Sequence, residues 1–197
     1  MSETNNNLVI ETWFPTTIGK AQCPFIDEIK DKYLKIISKF KYDENGFCSH
    51  LIHKDKKFDR LNKWITDQVN AYAIAHKYKY KYEAKDSWLL DYPVGKGQPL
   101  HTHDGYTISV CFILEGKEED MPTSFKNPVL DMKNPLNTRP HDLINHEDYN
   151  NLTYPYCFYP PFPGRLIIFR SHLHHYVNPK EISDKRIIFS YNFDPCT

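Results

Sequence analysis

The chain has no excess charge of either sign: 25 Lys and Arg stand against 25 Asp and Glu, and the pI is about 7.1. With neither a basic surplus nor a basic block, a nucleic acid or an anionic membrane surface is excluded as the default partner, because both are polyanions. Long hydrophobic runs are also missing. The longest apolar stretches fall far short of the roughly 20 residues that cross a bilayer, so no membrane-spanning helix is expected. Met1 to Asn7 is polar and lacks the apolar stretch of a signal peptide, which makes a cytoplasmic location the expectation. No repeat or low-complexity tract interrupts the 197 residues, so residues 1–197 are expected to form one domain with a single sizeable core. Cysteine is scarce, and the five that occur are scattered, which fits reduced thiols better than a disulfide framework.

Aromatics are plentiful, 14 Tyr and 12 Phe against only 7 Gly, and so is histidine. Of the 10 His, five fall in two short clusters: His101 and His103, then His172, His174 and His175. Around them the hydrophobic period changes along the chain. Residues 8–18 read as a short strand ended near Pro15. From Phe25 to Phe40, and again from about Phe58 to Tyr80, apolar residues recur at helical spacing. A turn at Asn45-Gly46 separates the two. After residue 85 come short β-branched and aromatic runs at 87–92, 107–114, 165–170 and 186–193. Between them, 120–163 is rich in proline and reads as a long irregular insertion, of the kind that serves as a binding loop or lid. Helices first and strands afterwards predict an α+β fold: a jelly roll with the N-terminal helices packed on one sheet.

In an extended chain, His101 and His103 project from the same face, because strand side chains alternate. Asp104 points to the other face unless the strand ends there, which Gly105 permits. The second cluster follows the aliphatic strand Arg165 to Arg170, where the chain turns. Beyond it, Arg186 heads an apolar strand, a costly place for a guanidinium without an anionic partner. Asp184, Asp194 or a bound carboxylate is needed there. Together, a histidine pair on one strand, a distal histidine and a later arginine form an ordered set that non-haem Fe(II) oxygenases require. Three ligands on one face of an octahedral ion leave positions for a bidentate co-substrate and O₂. A guanidinium supplies a two-pronged clamp for the far carboxylate of that co-substrate.

Several segments carry a family resemblance: Phe14-Pro15-Thr16, Ser87-Trp88, H-T-H at 101–103, P-G-x-L-x-x-F at 163–169, S-x-L-x-H-x-V at 171–177 and R-I-x-x-S-x-N at 186–192. In these the chain resembles the Fe(II)/2-oxoglutarate-dependent oxygenases, in particular a small phage and marine-bacterial group related to prolyl 4-hydroxylases. The resemblance implies a double-stranded β-helix (jelly roll, cupin-like), with His101 and His175 as metal ligands and Arg186 as the 2-oxoglutarate clamp. The alignment of 171–177 selects His175 over His172 and His174. His103 stands where the superfamily usually has a carboxylate. Of three readings, His101, His103 and His175 as the ligand set is preferred, then Asp104 in place of His103, and last a vacant position as in halogenating relatives. Ser190, on the strand face of Arg186, and a tyrosine, Tyr106 or Tyr92, are candidates for the co-substrate carboxylate.

The implied activity is oxidative decarboxylation of 2-oxoglutarate coupled to hydroxylation of an unactivated C–H bond, with Fe(II), O₂ and ascorbate as an accessory reductant. Metal binding is expected to weaken below about pH 6, since imidazole must be neutral to ligate. The expected partner is a peptide or small-molecule substrate, with peptidyl proline the analogy-based choice. A phage-encoded protein of this kind would act in the host cytoplasm. The aromatic stretch 154–163 is either a wall of the substrate groove or a rigid connector. The alternatives are a non-catalytic metal-binding jelly roll and a halogenase.

Overall fold

The computed structural model describes residues 15–129, 154–182 and 184–196. Two antiparallel sheets face each other. The larger has the order β1 (Ile18–Gln22), β8 (Arg165–Arg170), β5 (Ile108–Glu115), β10 (Ile187–Pro195), β3 (Tyr82–Asp91) and β2 (Phe47–Cys48). The smaller runs β4 (Gln98–His101), β9 (His175–Val177), β6 (Thr123–Lys126) and β7 (Tyr156–Tyr159). This is the jelly roll, in an α+β setting.

Alternation in the central strands builds both cores. Ile187, Phe189, Tyr191 and Phe193 of β10 turn to one side of the large sheet, as do Ile108, Val110, Phe112 and Leu114 of β5. There they meet helices α1 (Ile26–Ile37) and α2 (Asp59–Ala75), whose Ile29, Tyr33, Leu61, Ile65, Val69 and Tyr72 recur at three- and four-residue spacing. Phe58 stands edge-on to both Phe189 and Tyr33, with centroids 5.6 and 4.8 Å away. The intervening residues, Ile188, Cys111, Ile113, Ile167 and Phe169, fill the space between the sheets.

Three local features depart from the periodic reading. Helix α2 stops at Ala75 rather than running to Tyr80. Lys77 takes φ 58°, its N–H bonds Ile74 O, and Tyr78 N–H reaches back to Ala73 O. That is a Schellman ending, with lysine where glycine is usual. In β3, Asn192 pairs with Asp86 but Phe193 with Ala84, so Lys85 is an extra residue. This bulge switches the buried parity from Tyr82 and Ala84 to Leu89. The insertion 120–163 is irregular neither at its start nor near its end, since β6 and β7 pair there as neighbouring strands. The strand expected over 8–18 lies mostly outside the described residues, and β1 begins only at Ile18.

The turn before β2 also matters for the site. Asp43 Oδ1 accepts from the N–H groups of Asn45 and Phe47, at 2.8 Å each, and Gly46 adopts φ 79°. A Cβ at Gly46 would lie 2.0 Å from Asp91 O, so only glycine lets the turn close on β3 and present Phe47 at the cavity rim. Among the described residues, no helix is long and apolar enough to cross a membrane.

Candidate metal centre

Between the sheets lies a cavity of about 370 Å³, walled by Trp88, Leu90, Tyr92, Ile188 and Ser190 of the large sheet and by Thr123 and Val177 of the small one. Three imidazoles meet in it. His101 ends β4 and His175 opens β9, and the two are direct partners in the ladder, with ring centroids 4.1 Å apart. His103 is not on that strand. β4 ends at His101, and His103 follows in the turn, tied by its N–H to Ser171 O at 2.8 Å. Trp88 stacks on it at 5.4 Å.

One ring nitrogen from each histidine falls within 4.8 Å of the others. The remaining nitrogens explain how. His101 Nδ1 lies 2.8 Å from Pro99 O, His175 Nδ1 2.9 Å from Leu173 O, and His103 Nδ1 2.8 Å from Asn192 Oδ1. All three partners are acceptors, so Nδ1 carries the proton and Nε2 keeps a lone pair. His103 Nε2 and His175 Nε2 are 3.1 Å apart. Two lone pairs at that distance repel unless a cation lies between them, and three neutral imidazoles suit a divalent first-row ion. Asp104 is not part of the cluster. Its carboxylate is exposed and accepts from Thr102 Oγ1 at 2.7 Å. His172 and His174 are exposed as well.

Burial, and then the neighbouring imidazoles beginning with His101, pushes His103 down to about 4 and His175 down to about 3. These two groups are therefore neutral well below pH 6, and the expected loss of metal at that pH moves lower for them. Stability follows the same shift. Unfolded histidine takes a proton near pH 6.5, which the folded sites reject, so the unfolded state binds more protons in that window. Metal-free protein is expected to hold its stability above pH 6.5 and lose it as the pH falls towards 4. The limiting slope is about 1.4 kcal/mol per pH unit for each group. Urea midpoints at pH 7 and pH 5 check this; equal midpoints, or a drop undiminished in His103→Gln/His175→Gln, would contradict it.

Behind Tyr92 and Thr123 of the cavity wall lies a buried charge. Arg186 is completely buried. One Nη donates to Met121 O, the other lies 3.4 Å from Thr123 Oγ1, and the guanidinium sits 5.7 Å from the Tyr92 ring centroid. Its Nε has no partner. Burial pushes the guanidinium below its usual value, only partly offset by Asp120, whose Oδ2 is itself unpartnered. Neither carboxylate considered from the sequence reaches it: Asp184 pairs with Lys117 at 2.7 Å, and Asp194 accepts from Thr107. Among the described residues no ion pair neutralises Arg186. A buried cation beside a cavity, with a free N–H, fits an anion that enters from solvent.

Ser190 lines the cavity, but Tyr106 does not. Tyr106 feels Asp86 and Asp194, at the end of β10 opposite Arg186, whereas Tyr92 lies against the guanidinium. The tyrosine beside Arg186 is Tyr92. Sequence reasoning also passed over Thr123, which fell in the supposed irregular insertion, and assigned nothing to Asn192, although it closes the R-I-x-x-S-x-N run.

Comparison with known proteins bears on the fold and the family. No curated protein sequence matches the chain. Solved structures similar to it include the viral collagen prolyl hydroxylase of Paramecium bursaria Chlorella virus-1 (12% identity, TM-score 0.63, 100% of both chains). They include a Pseudomonas putida prolyl-4-hydroxylase (12% identity, TM-score 0.61, 92% of this chain and 94% of that one). HygX of Streptomyces hygroscopicus, solved with nickel and 2-oxoglutarate bound, matches at 12% identity and TM-score 0.62 over 91% of this chain and 83% of its own. At such identities these show a shared fold. Residues 86–192, more than half of the chain, match the family described as "Putative 2OG-Fe(II) oxygenase". From the edge of the Trp88 strand to Asn192, that match takes in every residue of the histidine cluster and Arg186, and the chain belongs to the 2OG-Fe(II) oxygenase family.

Proposed function

We propose that His101, His103 and His175 hold a single Fe(II), that Arg186 receives the far carboxylate of 2-oxoglutarate, and that the protein hydroxylates an unactivated C–H bond, with peptidyl proline as the substrate class. The observation that carries this reading is the convergence of three ring nitrogens in one cavity, with a buried, ion-unpaired guanidinium packed behind Tyr92 and Thr123 of its wall. When bound, the iron supplies O₂ activation coupled to decarboxylation of 2-oxoglutarate to succinate and CO₂. The chain's own residues do the rest. Nδ1 contacts hold the three rings in the ligating tautomer. Because all three donors are neutral, the site adds no negative charge, which favours a dianionic co-substrate. Arg186, with the Thr123 hydroxyl beside it and the Ser190 hydroxyl on the cavity wall, orients that dianion. Trp88, Leu90 and Ile188 keep the wall apolar and limit water around the reacting C–H. The prolyl hydroxylases among the similar structures support the choice of substrate class.

Incubation with Fe(II), ascorbate and 2-oxoglutarate, without substrate, is expected to yield succinate slowly, and a proline-containing peptide is expected to speed it and gain one oxygen. Absence of both succinate and 2-oxoglutarate binding would contradict the enzyme reading. Succinate formation that no prolyl peptide stimulates would overturn only the substrate class.

A further inference from the structure

We propose that Asn192 is a positioning residue for the metal site: its carboxamide oxygen fixes the tautomer and orientation of His103. This rests on the reading of His101, His103 and His175 as the metal ligands. The other two ligand rings are held by backbone carbonyls two residues before them, Pro99 O and Leu173 O, contacts that the local chain supplies whatever the neighbouring side chains. His103 lies in a turn, beyond the end of β4, and has no such carbonyl on its Nδ1. Its Nδ1 partner comes instead from the centre of the large sheet, 89 residues along the chain.

The polarity of that contact is set by a chain of buried groups. Ser109 Oγ donates to Asn192 Oδ1 at 2.8 Å, and lies 2.8 Å from Ser171 Oγ. Asn192, Ser109 and Ser171 are all buried. Because the Ser109 proton points at Asn192 Oδ1, its lone pairs take the Ser171 proton, and Oδ1 becomes an acceptor for two donors, Ser109 O–H and His103 Nδ1–H. Ser171 closes the circuit, since its own carbonyl accepts the His103 backbone N–H at 2.8 Å. Three polar side chains placed at inward positions of β5, β10 and the turn after β8 are expensive unless fully paired. Their arrangement ends on one imidazole nitrogen. The opposite amide orientation would put an N–H against Nδ1, move the ring proton to Nε2 and block ligation.

The test compares Co(II) affinity, read from visible absorption, in wild type, Asn192→Leu and Asn192→Asp. Asn192→Leu keeps the volume and loses the acceptor, and is expected to bind about 10- to 100-fold more weakly. Asn192→Asp restores an acceptor and is expected to return affinity to the wild-type level or beyond. Equal affinity for wild type and Asn192→Leu, or Asn192→Asp binding as weakly as Asn192→Leu, would overturn the proposal. Nitrogen-15 NMR of the Zn(II)-loaded wild type decides it even where Asn192→Leu does not fold. His103 is expected to ligate through Nε2, with Nδ1–H protected from solvent exchange; ligation through Nδ1, or a freely exchanging Nδ1–H, would overturn it. Failure of wild type to bind either metal would instead remove the reading of the triad itself.

Discussion

His175→Ala is expected to abolish saturable binding of Fe(II) or Co(II), while His172→Ala leaves it intact. His175 is buried between Phe169 and Phe125, with ring centroids 4.7 and 5.6 Å away, and its Nε2 lies 3.1 Å from that of His103. Removing a ligand outright costs more than the 10- to 100-fold lost when only a supporting hydrogen bond goes. His172 is exposed and outside the cluster, so its loss removes no ligand. Because His175→Ala also opens a void, His175→Gln serves as a check. It fills most of the space but does not reproduce the imidazole Nε2, and is expected to fold and still not bind. Metal titration followed by absorption distinguishes these outcomes. Tight binding by His175→Gln, or loss of binding in His172→Ala, would reverse the assignment.

Arg186→Met is expected to weaken 2-oxoglutarate binding by about 2–5 kcal/mol, the cost of removing one partner of a desolvated charge pair. Metal affinity is expected to be unchanged, because the guanidinium contacts Met121, Thr123 and Tyr92 and none of the three histidines. Thermal stability gives a second readout. Arg186→Met is expected to gain nothing from added 2-oxoglutarate, whereas wild type gains by mass action. Thermal melts with and without 2-oxoglutarate measure the difference. A variant that is still stabilised by 2-oxoglutarate would place the anion elsewhere.

How far these features can be read from sequence depends on their range. The alternation in Arg186-Ile187-Ile188-Phe189-Ser190-Tyr191-Asn192-Phe193 assigns each residue to the helix side or the cavity side of β10, since period two is local geometry. The helical faces of α1 and α2 are legible for the same reason. The end of α2 is not, because Lys77 occupies a left-handed position without the glycine that would mark it. Nor does the pattern reveal the extra residue at Lys85, which only the pairing of β3 with β10 exposes. Proline content hid β6 and β7, since strand pairing across a long connection leaves no periodic trace in so few residues.

The site divides along the same line. Histidine clustering favoured the three rings, with Asp104 left as the alternative to His103. That distinction arises because β4 ends at His101, which frees His103 to turn inward while Asp104 turns to Thr102. Tyr92 and Tyr106 were indistinguishable in sequence, and only their places relative to the two ends of β10 tell them apart. Asn192 was quoted in a motif but had no visible function, because its partner lies 89 residues away.

The most direct test of the whole account is a crystal structure of the protein grown anaerobically with Mn(II) and 2-oxoglutarate. One ion is expected, bound by Nε2 of His101, His103 and His175 and chelated by the 2-oxo acid, with the far carboxylate on Arg186. An ion held by Asp104 in place of His103, or a 2-oxoglutarate whose far carboxylate does not touch Arg186, would contradict it.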